Sequence, residues 1–169
     1  MMKMTGMTIA VLAAVLTIGS ASAMAAEDLG SIIRENGWAR MVGTWVDAET
    51  NGKKLKSVTT WRFKDHVVET VTHDFLQGKD ETSLMIYSPK TGEVFIVSAD
   101  DKGGSASGRW TFNKDEAVLD LGFVTPEKQE GLLQFRYKFA DDDTMIATVV
   151  LPEPIVIKMI RVKHQSKNE

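Results

Sequence analysis

From Val42 onward, runs of strand-favouring residues are broken by turn-forming residues every ten to fifteen positions or so, and no gap is long enough for a crossover helix. That spacing limits the fold more than any other feature, because strands joined by short connections pair antiparallel, as a meander. The breaks fall at Thr50-Asn51-Gly52, Lys64-Asp65, Gln77 to Asp80, Pro89 to Gly92, Asp100 to Gly104, Asn113 to Asp115, Pro126 to Gly131, Asp141 to Asp143, and Pro152-Glu153-Pro154. Glycine takes positive φ at little cost and proline presets it, so Asn-Gly and Pro-x-x-Gly suit tight reversals. Nine turns separate about ten strands.

Within the strands, apolar and polar residues alternate. Leu133, Phe135, Tyr137 and Phe139 interleave with Gln134, Arg136 and Lys138; Leu119, Leu121 and Phe123 share a face away from Asp120; Leu55, Thr59, Trp61 and Phe63 share one against Lys54, Lys56 and Arg62. One wet and one dry face is the pattern of an antiparallel sheet wrapped on its own core. Ten such strands expose edges unless the sheet closes into a barrel or folds into a sandwich. The expected fold is all-β: an antiparallel meander closed into an up-and-down barrel of eight to ten strands. A short N-terminal helix is expected over Glu27 to Trp38, where Leu29, Ile32 and Ile33 recur at helical spacing, Asp28 suits the N-cap and Gly37 the exit.

The first residues read as an address. Lys3 gives a basic start, Met7 to Ile18 carries no charge, and Ala21, Ser22, Ala23 and Ala25 supply small residues for cleavage. The expected organisation is a signal peptide over 1–25 and a single domain over 26–169, exported to the periplasm or secreted. Met7 to Ile18 falls short of the ~20 residues that cross a bilayer as a helix, and no membrane span is expected elsewhere. Lys3 is the only charge the leader carries, so 20 basic against 23 acidic residues becomes 19 against 23 in the remainder. A mildly acidic chain without a Lys/Arg cluster argues against nucleic acid as a partner. The chain has no cysteine, which removes thiol chemistry and Cys-ligated zinc.

A helix followed by Gly43-x-Trp45 opening the first strand, then a strand meander ending in Ile157 to Arg161, resembles the calycin group of lipocalins and fatty-acid-binding proteins. Within that group it looks most like the lipocalin-like secreted domains of bacteria. The resemblance implies a structural clasp of Gly43, Trp45 and Arg161, with the last-strand arginine lying over the tryptophan. It also implies a small apolar or amphipathic ligand inside the barrel, and a second use for Arg161 against a carboxylate head. The chain departs from true lipocalins in having no disulfide and no long helix after the last strand, so the strand count stays open between eight and ten, and a flattened, half-open barrel stays open beside a closed one.

The candidate ligand-binding residues are Trp61, Phe135 and Tyr137 on inner faces, with Glu69 and His73 as polar anchors. Strand 66–75 offers two faces: Val67, Glu69, Val71, His73 and Phe75 on one, and His66, Val68, Thr70, Thr72 and Asp74 on the other. If the first turns inward, Glu69 and His73 go with it and need partners; if that part of the sheet is open, both are solvated. His66 and His73 point to opposite faces of a regular strand, so no metal site, catalytic set or cofactor is assigned. Gly103 to Gly108 is glycine-rich without a following helix to hold a phosphate, and reads as a hairpin at a barrel mouth.

Binding of a small hydrophobic ligand is thus the expected function. The alternative is an envelope interaction or structural protein whose interior is filled by side chains, with Met85, Tyr87, Phe95 and Val97 on an exposed patch. The oligomeric state is not legible.

Overall fold

The computed structural model describes residues 27–163; the expected leader over 1–25 and His164 lie outside the described residues. Ten strands follow one another: β1 (Gly43–Asp47), β2 (Leu55–Phe63), β3 (Val67–Asp74), β4 (Lys79–Ser88), β5 (Glu93–Asp100), β6 (Ser105–Phe112), β7 (Ala117–Val124), β8 (Glu130–Asp141), β9 (Thr144–Val150) and β10 (Ile155–Arg161). Each pairs antiparallel with its sequence neighbours, and β1 also pairs with β10, closing a ten-stranded up-and-down barrel. Each expected turn marks a junction between two strands. Closure leaves no exposed sheet edge among the described residues.

The helix is shorter than the sequence suggests. Helix α1 runs Leu29–Glu35, with the Asp28 carboxylate accepting from the Ser31 amide at 2.7 Å. Gly37 takes φ +76°, which releases the chain from the helix. Trp38 then turns into the end of the barrel, where it is 2% exposed. Its Nε1 donates to the Asn113 carbonyl at 2.7 Å and its ring lies 4.8 Å from that of Phe139. Leu29, Ile33 and Trp38 pack on Val68, Met85, Val94, Phe112 and Ala117, so the helix and its exit plug this end. The loops at 48–54, 75–78, 101–104, 125–129 and 151–154 ring the opposite end, the mouth.

Alternation sorts the side chains, with two departures from the sequence reading. A register shift between Trp61 and Phe63 keeps Trp61 against the plug but turns Phe63 out, 65% exposed. On β3 the even positions face inward. Val68 is 1% exposed in the core, whereas Glu69 and His73 lie on the outer face. Met85, Tyr87, Phe95 and Val97 do not form one patch either: Met85 is buried and Tyr87 packs on the plug, while Val97 is exposed outside. Among the described residues no helix is long and apolar enough to cross a membrane.

Candidate ligand cavity

Between the plug and the mouth the barrel encloses a cavity of about 840 Å³. It is open because the largest inward side chains gather at the plug: Trp38, Trp61, Trp110, Phe112, Tyr137 and Phe139 all belong to that packed cluster. Phe63, which the alternation groups with the inner face of its strand, and Phe75, which would fill the interior had the odd face of β3 turned inward, are outside and exposed. The volume lies within the ~300–1,000 Å³ range of small-molecule sites.

The lumen has two unlike walls. Thr59 of β2 is in register with Thr70 of β3, Thr70 with Ser83 of β4, and Ser83 with Ser98 of β5, so four hydroxyl residues run side by side across four strands. One step nearer the mouth, Ser57, Thr72, Glu81 and Asp100 form a second polar row over the same strands, two hydroxyls followed by two carboxylates. Thr59 and Thr70 hydroxyls lie 3.1 Å apart, and those of Ser57 and Thr72 3.2 Å apart. Each hydroxyl has one donor and two acceptor positions, so a pair sharing one hydrogen still offers a donor and acceptors to the lumen. Across the cavity, Leu119, Phe135 and Val149 form an apolar row over β7, β8 and β9, and Tyr137, Ala147 and Ile157 form another over β8, β9 and β10.

Of the residues expected to bind a ligand, Phe135 and Tyr137 line this cavity and Trp61 packs on the plug beneath it. Burial raises the Tyr137 phenol well above the usual range, and the charge of Glu81 on the hydroxyl wall adds to the effect. The Trp110 ring also lines the cavity, and its Nε1 is buried without a hydrogen-bond partner. Glu69 and His73 are not brought into the lumen. Glu69 lies 3.8 Å from Arg62, and His73 Nδ1 lies 2.8 Å from Asp80 with its ring stacked against Phe75. Sequence reasoning missed the hydroxyl wall, although Ser57-x-Thr59 and Thr70-x-Thr72 carry its period-two signature.

Charge collects at the mouth. Lys79 Nζ lies 3.5 Å from Asp100 and 3.7 Å from Glu81, and Lys102 Nζ donates to the Gln77 carbonyl at 2.6 Å. Burial alone would raise the Asp100 carboxyl, but the amides of Gly104 and Lys102 and the nearby Lys79 hold it below the usual carboxylate range.

Arg161 works at the plug end, away from the mouth. Its guanidinium carbon sits 4.3 Å from the Trp45 ring centroid, and its Nη1 donates to the Val42 carbonyl at 3.0 Å. Its Nη2 donates to the Arg40 carbonyl. Gly43 leaves the room for this: at φ +140°, a Cβ there would lie 2.5 Å from Arg161 Nη1.

Comparison with protein-family models finds no match, and none of the curated proteins matches the sequence.

Proposed function

We propose that this chain is an exported, lipocalin-like binding protein that holds a small amphipathic molecule in its barrel. The observation that carries this reading is the 840 Å³ cavity, sealed by the plug at one end and reached from the other. A barrel built only for rigidity gains nothing from such a space, because unfilled volume forfeits packing contacts. Trp45 and Trp110 line the cavity and supply an intrinsic reporter. No role in catalysis is proposed.

The test is titration with the uncharged fluorophore N-phenyl-1-naphthylamine, together with native mass spectrometry of protein purified from its own host. Saturable probe binding that Leu119→Trp abolishes, by placing bulk in the lumen, supports the reading. Non-saturable binding, or binding indifferent to that substitution in a folded variant, contradicts it. A second reading, an envelope protein that acts through its outer surface, draws on the exposed Leu132 and Val156, 87% and 62% accessible. It expects no probe in the lumen.

A further inference from the structure

The two walls specify the ligand further. We infer that the cavity is built for a facially amphipathic molecule without negative charge, with hydrogen-bonding groups along one long face and hydrocarbon along the other, and that it discriminates against fatty-acid carboxylates. This inference rests on the binding reading above and narrows it.

The register carries the first half. Thr59, Thr70, Ser83 and Ser98 stand side by side across four adjacent strands, while the facing wall presents Leu119, Phe135 and Val149. Strand neighbours are about 4.8 Å apart, so the hydroxyl row spans roughly three such steps. That is the reach of a rigid fused-ring molecule rather than of one head group. Thr59 and Ser83 are 5% and 9% exposed, and the Thr59–Thr70 hydroxyl contact and the bond from Ser83 Oγ to the Thr70 carbonyl at 3.5 Å fix these groups in place, withdrawn from bulk water and with acceptor positions left over. An all-hydrocarbon ligand leaves these groups without hydrogen bonds from its own face, and that loss opposes binding. A flexible alkyl chain with one polar end matches the apolar wall only.

The charges carry the second half. The residues lining the cavity that carry charge at neutral pH are Asp74, Lys79, Glu81, Asp100, Lys102 and Glu127, two cations against four anions. Both cations are engaged: Lys79 between Asp100 and Glu81, and Lys102 on the Gln77 carbonyl. Arg161, the residue that a carboxylate-binding barrel would commit to the head group, is spent on Trp45 and on the Val42 and Arg40 carbonyls at the plug end. A carboxylate entering this lumen meets net negative charge; Lys102, the lining cation without a carboxylate partner among the described residues, stands on the mouth loop, so deeper than the mouth the carboxylate gives up its hydration without a counter-charge.

The experiment compares three probes on the full chain by tryptophan fluorescence and isothermal calorimetry at neutral pH: a cholestane triol whose hydroxyls share one steroid face, hexadecanol and palmitate. The triol is expected to bind tightest and palmitate weakest, with the ends of the series apart by about tenfold or more, the loss of one to two net hydrogen bonds. The triple variant Thr59→Val, Thr70→Val, Ser83→Ala is expected to reduce the triol-to-hexadecanol affinity ratio by about tenfold. Palmitate binding as tightly as the triol, or an unchanged ratio in the folded variant, overturns this inference and leaves the binding reading intact. Failure of all three probes to bind overturns both. Should the triple variant not fold, the order of the three probes on the unaltered chain decides.

Discussion

The Arg161 guanidinium lies over Trp45, 4.3 Å from the ring centroid, at the one place where the first strand meets the last. Trp45 and Arg161 are themselves register partners between β1 and β10. Strand β1 spans only Gly43–Asp47, yet it joins β2 to β10 and so closes the barrel. A five-residue strand has few ladder bonds of its own. The arginine adds to them by satisfying two carbonyls of the segment that leads into β1.

Replacing that arginine therefore loosens the closure. Arg161→Met is expected to cost about 2–3 kcal/mol, roughly 5–10 °C in Tm for a chain of this size, from the lost cation–π contact and charge-assisted hydrogen bonds. Arg161→Lys restores only part, because an ammonium cannot reach both carbonyls and cover the indole. Thermal melting gives the magnitude, and hydrogen exchange is expected to accelerate first in β1 and β10.

Asp47 clamps the loop that follows β1. Burial alone would raise its carboxyl, but the Thr50 hydroxyl and the amides of Leu55, Thr50 and Lys54 donate to it and hold it well below the usual carboxylate range. A depressed folded-state pKa adds stability that is complete above the unfolded value of about 3.9 and is lost as pH falls toward the folded one. Asp47→Asn is expected to cost about 2–3 kcal/mol at neutral pH. Denaturant melts should show that deficit constant from about pH 5 to 8 and shrinking below about pH 4.

Tyr137 is expected to contribute to stability on the alkaline side. Its phenol is raised by burial and by Glu81, so the folded chain keeps the proton after an unfolded tyrosine, near pH 10, has lost it. The contribution is full below about pH 10 and declines above it. The chain has two tyrosines, and the phenol of the other, Tyr87, is also raised, by its hydrogen bond to Glu27. Absorbance at the tyrosinate band should therefore show no Tyr137 ionisation near pH 10 before unfolding. A reversible step there that Tyr137→Phe removes contradicts the buried position.

Glu69 and His73 provide a test of strand parity. Both lie outside, on Arg62 and Asp80. Glu69→Ala and His73→Ala are expected to leave N-phenyl-1-naphthylamine affinity unchanged, with stability altered by no more than about 1 kcal/mol each, as for exposed pairs. A tenfold loss of affinity in either variant would put β3 the other way round.

Strand β8 and strand β3 show what was legible in the sequence and what was not. On β8, Leu133, Phe135, Tyr137 and Phe139 alternate with Gln134, Arg136 and Lys138, and only one face suits the interior. The barrel, its antiparallel meander and its turns follow from patterns of that kind. On β3 the face with more apolar residues (Val67, Val71, Phe75) is the outer one, and Thr70, Thr72 and Asp74 face the lumen. The rule that apolar means inside assumes a dry interior, and here one wall is made of hydroxyls. Trp38 illustrates a different limit: helical spacing runs on to it, but local spacing does not reveal that the end of a barrel needs a plug.

Occupation of the lumen between the hydroxyl and hydrocarbon walls can be followed by methyl-resolved NMR during titration with N-phenyl-1-naphthylamine. Saturable shifts are expected at Thr70, Leu119, Met145, Ala147 and Val149, which line the cavity, and none at the exposed Val97, Leu132 and Val156. Shifts confined to those outer methyls, with the lumen silent, would contradict it.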